Sequence, residues 1–78
     1  MRTYTLTSSI MLSDILWQMD PGQQIQIVFE DQTKLTNLEN TLVTLGQTAI
    51  KPVVFYAEKV EEAEIPTYNI TCSLSAVY

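Results

Sequence analysis

Apolar and polar positions along this chain change period several times, and each change marks a predicted element. Thr3-Tyr4-Thr5-Leu6-Thr7 alternates, with Tyr4 and Leu6 on one side, and predicts a short strand. Ser8 and Ser9 follow, either able to cap a helix. Met11, Leu12, Ile15, Leu16 and Met19 then recur at helical spacing, with Ser13, Asp14 and Gln18 on the wet side. Asp20-Pro21-Gly22 stops that helix, because proline lacks the amide to continue it and glycine tolerates a positive φ.

The clearest alternation is Gln24-Ile25-Gln26-Ile27-Val28-Phe29-Glu30, a strand with Ile25, Ile27 and Phe29 on one face. Glu30 to Thr33 reads as a turn, after which Lys34-Leu35 is expected to return as a short antiparallel strand. Thr36-Asn37-Leu38-Glu39 has the spacing of a capping box. The helix it opens should turn Leu38, Leu42 and Leu45 inward and end at Gly46 in the C′ position, although Thr41, Val43 and Thr44 are β-branched and weaken it.

Two strands follow. Val53, Phe55 and Ala57 alternate against Val54, Tyr56 and Glu58 in the stretch to Val60, and Tyr68, Ile70, Cys72, Leu74 and Ala76 against Asn69, Thr71, Ser73 and Ser75 in the stretch to Val77. The acidic link Glu61-Glu62-Ala63-Glu64-Ile65-Pro66 makes them a hairpin. The expected fold is therefore α+β in the order β-α-β-(β)-α-β-β: one mostly antiparallel sheet with two short helices on one face.

Composition narrows this picture. Residues 1–78 make one domain with a thin core, since a chain this short buries only about 60–65% of its unfolded surface. With 46% apolar and 17% charged residues, disorder is excluded. Nine acids against four bases give a net charge of −5. That sign repels phosphates and anionic lipid, so neither nucleic acid nor membrane is an expected direct partner, whereas a basic protein surface would attract the chain. The blander reading is that the charge only keeps a small protein soluble. There is no histidine, the usual base near neutral pH and the commonest metal ligand. The lone cysteine, Cys72, permits no internal disulfide and has no imidazole to activate it; it reads as a small buried hydrophobe. The sequence shows no signal-peptide pattern and no membrane-length apolar run, so a reducing cytoplasm is expected. Asn69-Ile70-Thr71 matches a glycosylation sequon by accident on this reading.

Candidate chemistry is consequently that of binding. No phosphate loop, zinc spacing or paired catalytic carboxylate is present, and no cofactor, metal or catalytic residue is expected. Glu58, Glu61, Glu62 and Glu64 form the densest charge cluster, able either to meet lysines and arginines of a partner or simply to keep an edge strand from aggregating. Asp14, Asp20, Glu30 and Asp31 would add a second negative region if the fold gathers them. Trp17 lies off the first helical stripe; it either widens the buried face or stands exposed as an interface anchor. Tyr56 and Phe55 must face opposite ways, so a sheet face showing Val54, Tyr56 and Trp17 is a candidate contact patch.

The run Met11-Leu12-Ser13-Asp14-Ile15-Leu16, followed by Asp20-Pro21-Gly22-Gln23-Gln24-Ile25-Gln26-Ile27, resembles small uncharacterised proteins carried by phages and prophages. The resemblance implies an accessory product of a mobile element that binds and inhibits a larger host protein in the host cytoplasm. Host defence complexes that handle nucleic acid are the implied targets, as with anti-CRISPR proteins. Nine acids are too few to trace a long phosphate path, so a localised blocking contact is implied rather than DNA mimicry. The alternative expectation is a homo-oligomeric assembly protein that gains burial by self-association. An enzyme would need a cleft holding perturbed titratable groups.

Overall fold

A computed structural model describes residues 2–49 and 52–74. Strand β1 (Arg2–Leu6) leads through helix α1 (Leu12–Leu16) to β2 (Gln24–Phe29); a 3-10 turn (Gln32–Leu35) precedes helix α2 (Leu38–Thr48), and β3 (Val53–Lys59) and β4 (Thr67–Leu74) close the sheet. The strands lie in the order β1-β2-β4-β3. β1 runs parallel to β2, while β4 is antiparallel to both β2 and β3, so the α+β sheet is mixed and mostly antiparallel. The β1–β2 pair is parallel because the link between them carries α1 over the sheet rather than making a hairpin.

One face of the sheet is covered. Leu6, Ile25, Ile27, Phe29, Phe55, Ile70 and Cys72 meet Leu12, Ile15 and Leu16 of α1 and Leu38, Leu42 and Leu45 of α2 in a single core. Register explains this membership: Leu6 pairs with Phe29, Ile25 with Ile70, and Phe55 with Cys72, and paired positions share a face. Tyr68 packs edge-on against Phe29, with ring centroids 5.6 Å apart and planes at 86°.

Several local expectations are corrected. Lys34-Leu35 is no strand. The Asp31 carboxylate accepts from the Thr33 amide (3.1 Å) and hydroxyl (2.6 Å), which winds the chain into the 3-10 turn, and Lys34 Nζ donates to the Ile10 carbonyl. The capping box does not form. Asn37 is the N-cap of α2, in the left-handed region at φ 62° and with no side-chain cap, so Thr36 falls one residue too early. α1 is only five residues long and starts from an uncapped Met11; Ser9 instead shares a hydrogen bond with Thr7 (3.1 Å).

Gly46 does not end α2 either. It is buried within the helix, where an added Cβ would sit 2.3 Å from the Val53 carbonyl oxygen. Its missing side chain is what allows α2 to lie against the start of β3. Gly22 has the positive φ expected of it, 92°, but Asp20-Pro21-Gly22 does not stop α1, which already ends at Leu16; Gly22 completes the Asp20–Gln23 turn, and its amide donates to the Cys72 carbonyl (2.8 Å). The expected continuation of the last strand to Ala76 and Val77 lies outside the described residues.

Candidate functional site

Among the described residues, no helix covers the second face of the sheet. Alternation along β3 buries Phe55 and leaves Tyr56 60% exposed on this open side, with Glu58 two residues on. Glu58 pairs across to Asn69, and Asn69 to Gln26, so the row is polar. The Thr3 hydroxyl donates to Gln26 Oε1 (3.2 Å) at the far edge of the same row. Asn69 itself is half-buried mid-strand, and its buried Oδ1 has no partner among the described residues. A sequon asparagine held in a central strand is a poor glycosylation acceptor, in keeping with an accidental match.

β3 runs directly into the acidic tip. Glu61, Glu62 and Glu64 are all exposed in the connection to β4, which is closed by the Val60 amide on the Thr67 carbonyl (2.8 Å). The tip is also tied to the sheet, because the Pro66 carbonyl accepts from the Phe29 amide (2.8 Å) and the Thr67 hydroxyl donates to the Ile65 carbonyl (2.8 Å). Tyr56 and Glu58 thus lie exposed on the edge strand β3, and Glu61, Glu62 and Glu64 follow them, exposed, in the connection to β4.

Trp17 does not join them. It follows α1 on the helical side and is 63% exposed, so it is neither core packing nor a neighbour of Tyr56. It stands at a cleft of about 460 Å³ with Leu16, Met19, Asp20, Pro21, Thr48, Ala49, Val53 and Phe55. Phe55 is the last β3 residue to line it and Lys59 closes the strand, so roughly 13 Å of strand separates this cleft from the acidic tip. Sequence reasoning missed the cleft because three separate segments build it; Trp17's position off the apolar stripe was the one signal pointing there. The suggested second acidic region is not assembled. Asp20 precedes β2 and Glu30 and Asp31 follow it, at opposite ends of the strand.

A second cleft of about 470 Å³ lies toward β1, lined by Arg2, Tyr4, Gln18, Gln23, Gln24 and the apolar Ile15, Met19 and Ile25. The Arg2 guanidinium reaches the Tyr4 hydroxyl there at 3.5 Å. Cys72 is not among the residues lining either cleft. Cys72 is fully buried, and that burial, then the charge of Asp20, push its thiol up, so it stays protonated near neutral pH. Among the described residues no three His, Cys, Asp or Glu side chains are grouped to hold a metal ion, and no helix is long and apolar enough to cross a membrane. Comparison with protein-family models, with curated proteins and with solved structures finds no match.

Proposed function

We propose that this chain is a phage-type accessory protein that inhibits or modulates a larger host protein by direct, non-covalent binding. The observation that carries this reading is the exposure of Tyr56 and Glu58 on the edge strand together with Glu61, Glu62 and Glu64 in the connection that follows it. A basic surface is the matching partner, and proteins that handle nucleic acid, host defence complexes among them, present such surfaces. The carboxylates speed the encounter, and the tyrosine supplies a rigid amphipathic contact that slows release. Occupying the partner's basic surface is sufficient for inhibition; no bond is made or broken. The tip's ties to Phe29 and within the hairpin favour this role, because an anchored loop loses little freedom on binding.

The test uses the protein retained from host lysate by the immobilised wild-type chain. Association of that protein is followed for wild type, for Tyr56→Ala and for the triple variant Glu61→Lys, Glu62→Lys, Glu64→Lys. The triple variant should associate at least about tenfold more slowly at low salt, with the difference shrinking as salt screens the charges. Tyr56→Ala should act mainly on dissociation. Equal rates for wild type and both variants, or a retained partner whose surface is acidic, would remove the edge from the mechanism.

A further inference from the structure

We infer that the free edge of β3 receives an extended basic segment of the partner protein as an added strand of the sheet. This deepens the function proposed above and rests on it for the sign of the partner's charge. β3 stands last in the order β1-β2-β4-β3, so among the described residues only β4 pairs with it. The ladder decides which of its backbone groups are free, because antiparallel hydrogen bonds recur at every second residue. The Val60 amide donates to the Thr67 carbonyl, one pair beyond Lys59 and Tyr68. The bonded pairs within β3 are therefore Glu58 with Asn69, Tyr56 with Thr71 and Val54 with Ser73. The other side of β4 agrees. The Cys72 amide donates to the Gln23 carbonyl and the Phe29 amide to the Pro66 carbonyl, which turns the even-numbered backbone groups of β4 toward β2 and the odd-numbered ones toward β3. The amides and carbonyls of Phe55, Ala57 and Lys59 thus point off the sheet.

Helix α2 covers only the start of this edge. Gly46 lies against the Val53 carbonyl, whereas Tyr56, Ala57, Glu58 and Lys59 are all exposed. Side chains alternate in a strand, so four successive exposed residues leave this half of β3 open on both faces as well as along its edge. Free amides and carbonyls on an open edge are a template for another strand. Charge selects that strand. Cross-strand neighbours share a face, so an incoming side chain opposite Glu58 meets a carboxylate, and the segment's end reaches the connection that holds Glu61, Glu62 and Glu64. Lysine or arginine at every second position matches those carboxylates, and small apolar residues between them lie beside Ala57. A second copy of this chain has the wrong sign, since it also carries −5.

The probe is an acetylated, amidated peptide of alternating lysine and valine, seven residues long to match β3. In the full chain, the Ala57 and Lys59 amides should exchange hydrogen freely, and at least about tenfold more slowly once the peptide is added. Two further peptides carry N-methyl groups on alternate residues, one in each frame. The frame that removes the donors facing β3 should bind at least about tenfold more weakly, while the other, whose amides face solvent, should bind like the parent. Ala57→Pro removes a free donor without removing a β3–β4 bond, so it should keep a cooperative melt and lose affinity for the parent peptide. The methylated pair is read on the wild-type chain and decides the question even where Ala57→Pro fails to fold. Equal affinity in both frames, or exchange at Ala57 and Lys59 that the peptide leaves unchanged, overturns the inference. If charge reversal of Glu61, Glu62 and Glu64 still releases the peptide in that case, the proposed function stands without the added strand. Frame-dependent binding that the charge reversal leaves unchanged keeps the added strand and overturns the acidic contact instead. No binding up to about 1 mM overturns the inference as well.

Discussion

At the scale of single residues, two glycines do opposite work. Gly22 supplies a positive φ in open space, a backbone requirement that the Pro-Gly pair announces in the sequence. Gly46 has ordinary helical geometry and is needed for the room it leaves, which depends on a strand seven residues further along. Gly46→Ala is therefore expected to destabilise the fold by about 1–3 kcal/mol, although alanine is the better helix former and would stabilise a free helix by nearly 1 kcal/mol. Chemical denaturation measures this, and the sign of the change separates close approach from propensity. Trp17 shows the same division. Its departure from the helical stripe could be read from spacing alone, but its exposure could not, because that depends on α1 ending at Leu16.

At the scale of elements, alternation carried most of the information. β2 keeps Ile25, Ile27 and Phe29 inward, and β3 keeps Phe55 inward and Tyr56 outward, because period two fixes the face once one side is buried. What the pattern did not show lies between Glu30 and Leu38, where side-chain hydrogen bonds outcompete the expected hairpin and capping box. Asp31 is the organising residue there. The Thr33 hydroxyl and amide stabilise its charged form and hold its carboxyl below the usual value of 3.8. A lowered folded-state value means that Asp31 contributes stability above pH 3.8 and loses it as pH falls through the folded value. Asp31→Asn keeps an oxygen acceptor for the turn but cannot titrate. Its melting temperature should consequently fall less than that of wild type between about pH 4 and pH 2, and parallel acid limbs would show that Asp31 is not organising the turn through its charge.

At the scale of the whole molecule, one core on one side of a four-stranded sheet supports the entire fold, with no disulfide to assist it. Ile27 sits at the centre of that core, fully buried between Tyr4 of β1 and Tyr68 of β4. Ile27→Ala should cost about 2–5 kcal/mol, a large part of what a domain of this size has in total. Loss of the cooperative melt at room temperature, or a melting temperature lower by tens of degrees, is the expected calorimetric result. A shift of only a few degrees would mean that the two helices bear the stability without the sheet. The strand order has one more consequence. β4 is the last of the four strands to be synthesised, yet it occupies the gap between β2 and β3. Until it emerges from the ribosome, the nascent chain presents two unmated strand edges and a core that lacks Ile70 and Cys72. Premature termination before Thr67 should therefore leave a fragment prone to aggregate and be degraded, not a smaller folded protein.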